Sequence, residues 1–220
     1  MKITITVILF FFSSLTLKAD YSPLSLYEMM LGAEKIVYGE ITRLDSETFT
    51  FKIERSLIGK ESELIIQRFQ NWPCAHRWTD YKIGQRLFLF LRTYEGMLYS
   101  MSGGNEGELP IENDSVYING LSLDPPPPPR PDGTLSEYSN TDFIDLQKHE
   151  VKGMSYFGHK TDLISFIETV LQIRNCFEIE YGKYKSIQKA TILCDENELQ
   201  KNIESNKILN WVYRKLKNKT

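Results

Sequence analysis

The sequence predicts an α+β fold: a small antiparallel sheet of five to six strands curled into a barrel or sandwich, with a short helix before it and helices after it. Three observations carry this. Residues 36–57 hold two apolar-alternating runs joined by the polar turn Asp45-Ser46-Glu47. In the second run Phe49, Phe51, Ile53, Arg55 and Leu57 share one parity, and Thr48, Thr50, Lys52, Glu54 and Ser56 the other. A period of two over ten residues belongs to a half-buried strand and to no helix. Further short apolar runs recur between turn signals as far as Asn119, and beyond a run of five prolines the spacing becomes helical.

The chain opens on a secretory leader. Lys2 supplies a positive start, residues 3–12 are almost wholly apolar, and Ser13-Ser14 leads to Ala19. That layout predicts a signal peptide over residues 1–19, cleaved after Ala19, and a secreted or periplasmic protein with no transmembrane segment in the mature chain. The apolar stretch is too short for a comfortable span.

Ser22-Pro23 then reads as a helix start, with serine at the cap and proline at the first position. Leu24, Tyr27, Met30 and Leu31 follow at helical spacing and Gly32 closes the run. After the hairpin, Ile58-Gly59-Lys60 turns the chain into a third strand over residues 63–69. Residues 70–82 form a loop containing Trp72, Pro73, Cys74, His76, Trp78 and Tyr81. Residues 84–92 (GQRLFLFLR) are a continuous apolar run of strand length, the signature of a central strand. Tyr94-Glu95-Gly96 turns the chain into a strand over 97–101. Residues 102–110 are glycine-rich and read as loop, and 114–119 as a last strand.

Val37 to Glu40 (V-Y-G-E), residues 51–60 (F-K-I-E-R-S-L-I-G-K) and residues 81–91 (Y-K-I-G-Q-R-L-F-L-F-L), taken in that order around a cysteine loop, are similar to the netrin-like, metalloproteinase-inhibitor-like OB-barrel domains. The resemblance covers residues 22–120 and implies an OB-like barrel. Inhibitors of that family present a cysteine at the mature N-terminus, whose amine and carbonyl chelate the protease zinc. The predicted start here is Asp20-Tyr21-Ser22, without that cysteine.

The barrel domain is therefore placed at 20–120 and followed by a linker at 121–140, where Pro125 to Pro129 form a stiff polyproline II run. Residues 141–220 are predicted as a helical extension packed on the barrel. Leu163, Phe166, Ile167, Val170 and Leu171 share one helix face behind a Thr161 or Asp162 cap, and Gly182 interrupts the pattern. A second helix spans 197–217, its apolar side drawn from Leu199, Ile203, Ile208, Val212 and Leu216. Arg214, Lys215 and Lys217 complement its dipole.

Composition narrows the function. Taking Lys2 and Lys18 away with the leader leaves 24 of the 26 basic groups against 29 acidic ones, a net charge of −5. Such a chain lacks the basic footprint of a nucleic-acid binder. Three cysteines in an exported protein allow at most one internal bridge. Cys176 and Cys194 bracket one local segment and are the expected pair, the other reading being three small buried thiols.

No H-E-x-x-H, C-x-x-C, G-x-S-x-G or P-loop pattern occurs. Cys74 and His76 stand two apart on an extended segment, so they could act as nucleophile and base or as two metal ligands. A zinc site needs three or four ligands and a catalytic thiolate needs a positioned base and an oxyanion site. The 103–108 loop, with Asn105 and Glu106, offers oxygens for a hard cation but lacks calcium-loop spacing. Asn113 and Asn218 fit a glycosylation pattern. The expectation is an exported, non-catalytic module without cofactor or metal, binding a protein or cell-surface partner through Trp72, His76, Trp78, Asn105 and Glu106. The alternatives are a secreted peptidase inhibitor acting through the same loops and a thiol-dependent enzyme using Cys74.

Overall fold

The computed structural model describes residues 23–72, 75–104, 106–123, 144–182 and 187–217. The predicted leader, the proline run, Ser22, Cys74, Asn105 and Asn218 lie outside them.

The helix α1 (Leu26–Gly32) starts at Ser25, whose backbone N–H donates to Glu28 Oε2 at 2.9 Å. Next come β1 (Lys35–Leu44), β2 (Thr48–Ile58), β3 (Glu63–Gln67), β4 (Arg86–Tyr94) and β5 (Met97–Ser100). Their order is β1-β2-β3-β5-β4, and β4 pairs back to β1 over residues 86–91, which closes a five-stranded barrel. The expected sheet was antiparallel throughout. The barrel is mixed, because β3 and β5 pair in parallel at Gln67 and Tyr99. An odd number of strands cannot alternate direction all the way round a closed ring, so at least one neighbouring pair must run parallel.

Gly39 of the V-Y-G-E run marks a bulge between β1 and β2, and a Cβ there would stand 2.0 Å from the Lys52 carbonyl oxygen. Only glycine lets the two backbones pass so closely.

The structure adds strands where loop or helix was expected. β6 (Glu108–Glu112) pairs with β4, and β7 (Ser115–Asn119), the strand expected at 114–119, pairs with β6. After the short α2 (Gly120–Leu123), the hairpin β8 (Gln147–Val151) and β9 (Met154–Asp162) extends the same sheet through β7–β9 pairing. The region 141–220 is thus not wholly helical. Its described residues hold this hairpin, an antiparallel pair formed by β10 (Phe177–Tyr181) and β11 (Ile187–Ile192), and three helices.

α3 (Leu163–Cys176) is capped by Asp162, whose side chain accepts from the Ser165 amide at 2.9 Å. The single helix expected over 197–217 is two, α4 (Glu196–Ser205) and α5 (Lys207–Lys217). Asn206 divides them. Its N–H closes α4 onto the Asn202 carbonyl at 3.0 Å, and its Oδ1 accepts from the Leu209 amide, capping α5.

Two cores result, and β4 serves both. Leu87, Leu89 and Leu91 point into the barrel with Val37, Ile41, Phe49, Phe51 and Ile66. Phe88 and Phe90 point out, under α1, α3 and α5, among Met29, Leu109, Val116, Phe166, Val170 and Trp211. A strand buried on both faces must be apolar at every position, which is what the unbroken run 87–91 records. Cys176 and Cys194 form a disulfide with Cα atoms 4.7 Å apart, tying the end of α3 to the segment leading into α4. No helix among the described residues is long and apolar enough to cross a membrane.

Candidate functional site at the barrel mouth

The long connection between β3 and β4 folds over one end of the barrel, and what holds it there is a buried ion pair. Arg77 turns inward from this loop and its Nε donates to Glu108 Oε2 at 2.7 Å, with side-chain exposures of 2% and 0%. Charges removed from water to this degree are tolerated only when the remaining donors and lone pairs are also satisfied. Here they are. Arg77 Nη1 donates to the Thr79 carbonyl at 2.6 Å and Nη2 to Gln85 Oε1 at 3.0 Å. Glu108 Oε1 accepts from the Tyr81 hydroxyl at 2.7 Å and from Ser100 Oγ at 2.8 Å.

The network also reaches the loop backbone. Tyr81 Oη accepts from the Phe69 amide at 2.8 Å, Gln85 Nε2 donates to the Asp80 carbonyl, and the Arg77 amide donates to Asn71 Oδ1 at 2.8 Å. The Arg77 guanidinium lies 3.9 Å from the centroid of the Tyr81 ring, and that of Arg68 lies 5.0 Å from the same ring. Burial, reinforced by the Glu108 charge, pushes the Tyr81 phenol far above its ordinary range. It therefore stays protonated and keeps its role as donor.

Outside this network the loop frames a polar recess of about 250 Å³, lined by Ser46, Arg68, Asn71, Thr79, Asp80 and Tyr81 among others. Arg68 Nη1 donates to the carbonyls of Asp45 and Ser46, which ties the β1–β2 turn to the rim.

The residues singled out from sequence separate into two groups. Trp72 and His76 stand at the loop tip, half-buried and exposed respectively. A two-way backbone bridge between Trp72 and Ala75, with both N···O distances 3.0 Å, pinches the tip closed. Trp78 and Glu106 belong to the interior. Trp78 is 9% exposed, meets the Tyr156 ring edge-on at 6.3 Å and packs with the barrel core. Glu106 is 3% exposed, and its charge adds to burial in raising the Tyr156 phenol.

Among the described residues no three His, Cys, Asp or Glu side chains come together as a metal site. Of the residues that organise the mouth, the sequence marks Tyr81 only as a loop aromatic and Glu108 only as a carboxylate of the 103–108 loop, and it marks Arg77 and Gln85 not at all. Arginine 77 and glutamate 108 are 31 positions apart, and nothing local distinguishes either from a surface charge. Comparison with family models, with curated proteins and with solved structures returned no match.

Proposed function

We propose that the chain is an exported, non-catalytic binding module. Its netrin-like barrel would hold the β3–β4 loop toward a protein or cell-surface partner, with Trp72 and His76 as contact residues. The observation that carries this is the inward direction of the Arg77–Glu108 network. Its donors and acceptors go to fixing the loop, and Trp72 and His76 stand half-buried and exposed at its tip. A loop fixed in advance loses little entropy on binding, and an aromatic side chain on it is a common anchor.

The test places a photoreactive residue at position 76 and, as a control, at exposed position 154, then irradiates the exported protein in its producing cells. The expected result is one specific adduct from position 76 that disappears when Trp72→Ala is added. Equal adducts from both positions would overturn the reading. Mass spectrometry of the same preparation should give Asp20 as the N-terminus.

The resemblance to inhibitor barrels supports a second reading, a peptidase inhibitor that inserts this same tip into a cleft. Inhibition of at least one secreted protease at micromolar protein, lost in Trp72→Ala, separates it from the first.

A further inference from the structure

Among the described residues β8 is the last strand in the nine-strand order, so one of its edges pairs with β9 and the other faces away from the sheet. Its sequence is Gln147-Lys148-His149-Glu150-Val151, with Lys148 and Glu150 exposed on one face. His149 is half-buried on the other face, edge-on to the Tyr117 ring at 5.4 Å.

Which backbone groups face outward follows from the turn. Lys152 and Gly153, at φ +51° and +77°, form a two-residue loop of the type that suits a tight hairpin. The pair flanking such a loop, Val151 and Met154, exchanges hydrogen bonds. Alternation along an antiparallel ladder makes His149–Tyr156 the next bonded pair. The N–H and C=O of Lys148 and Glu150 therefore point away from β9, toward the open edge.

A second strand can pair there only if its outward-pointing residues meet these. For two copies of β8 running antiparallel, three registers satisfy that condition. One sets Lys148 against Lys148, one sets Glu150 against Glu150, and the third turns about His149. Only the third sets Lys148 of each copy opposite Glu150 of the other, twice. A charged edge strand normally resists pairing. This one resists every in-phase antiparallel self-pairing but one, and in that one the charges attract.

We infer that the chain forms a two-fold symmetric dimer across β8, centred on His149, with four backbone hydrogen bonds and two Lys148–Glu150 contacts. A symmetric interface of this kind closes on itself and does not propagate into fibres. The sheet would then run continuously through both copies, with β9-β8-β8-β9 at its middle.

Sedimentation of the purified full chain between roughly 1 and 100 μM tests this, a range that brackets micromolar association. Wild type should be dimeric at the upper end. Lys148→Glu and Glu150→Lys should each be monomeric and melt at the temperature of dilute, monomeric wild type, because both side chains are exposed. An equimolar mixture of these two variants should restore a dimer, as should the double swap K148E/E150K. A wild type that stays monomeric, single variants that remain dimeric, or a mixture that does not associate would each overturn the inference.

Discussion

Arg77 and Glu108 face each other at 2.7 Å with almost no solvent on either side chain. Removing one partner leaves the other charged and enclosed. Glu108→Ala is therefore expected to destabilise the protein by about 3–5 kcal/mol in denaturant unfolding. The Arg77→Ala/Glu108→Ala double variant should lose less than the sum of the single losses, with a coupling of about 1–3 kcal/mol. Additive losses would mean that the pair does not act as a unit.

Phe88 lies at the junction of the barrel wall and the outer layer, with the Phe166 ring 4.9 Å away edge-on and Phe90 at 5.4 Å. Phe88→Ala should cost about 3–5 kcal/mol, since a fully buried aromatic leaves a void its neighbours cannot fill. Loss of stability below 1 kcal/mol would show that the outer layer is not packed on this strand.

The Cys176–Cys194 bridge closes a segment of 18 residues. The Cys176→Ala/Cys194→Ala variant should lose roughly 3 kcal/mol, mainly by freeing the unfolded chain. The expected sign in calorimetry is a lower melting temperature with far-ultraviolet circular dichroism retained at 25 °C.

Stability should also fall in a defined acidic window. Burial holds the His159 imidazole below its ordinary 6.5, with nearby Lys207 and His149 acting in the same direction. The Asp145 carbonyl, which accepts from Nδ1, and the Asp145 charge oppose them. The folded state then takes up the proton less readily than the unfolded one. Its contribution is complete above pH 6.5 and is lost as pH falls through the lower folded value. Melting temperature should decline from pH 7 to 5, and His159→Gln should flatten that slope.

The exposed carboxylates act lower. Lys35 holds Glu61 at about 2, hydrogen bonds from Thr93 lower Glu34, and the Ser165 amide lowers Asp162. What they contribute is lost only below about pH 4.5.

How much of this was legible can be argued from particular residues. The parity of Phe49, Phe51 and Ile53 announced β2, and the run 87–91 announced a strand buried on both faces. β6 was hidden because Gly103, Gly104 and Gly107 read as a flexible turn. At Gly107 the glycine serves a close approach: a Cβ would stand 2.1 Å from the Met101 carbonyl oxygen. The alternation in Phe177-Glu178-Ile179-Glu180-Tyr181 carried a strand signal that the helices on either side obscured. At the mouth, Trp72 and His76 could be placed on one loop from sequence. That Arg77 turns inward from that loop depends on Glu108, which comes from a strand the sequence concealed.

Because β4 gives alternate side chains to two cores, the layer of helices is not cargo carried by a finished barrel. A chain ending at residue 120 would present Phe88, Phe90, Leu109, Ile111, Val116 and Ile118 as one wet, oily wall. The two halves should accordingly melt together in a single transition, and neither is a part that can be lifted out and used alone.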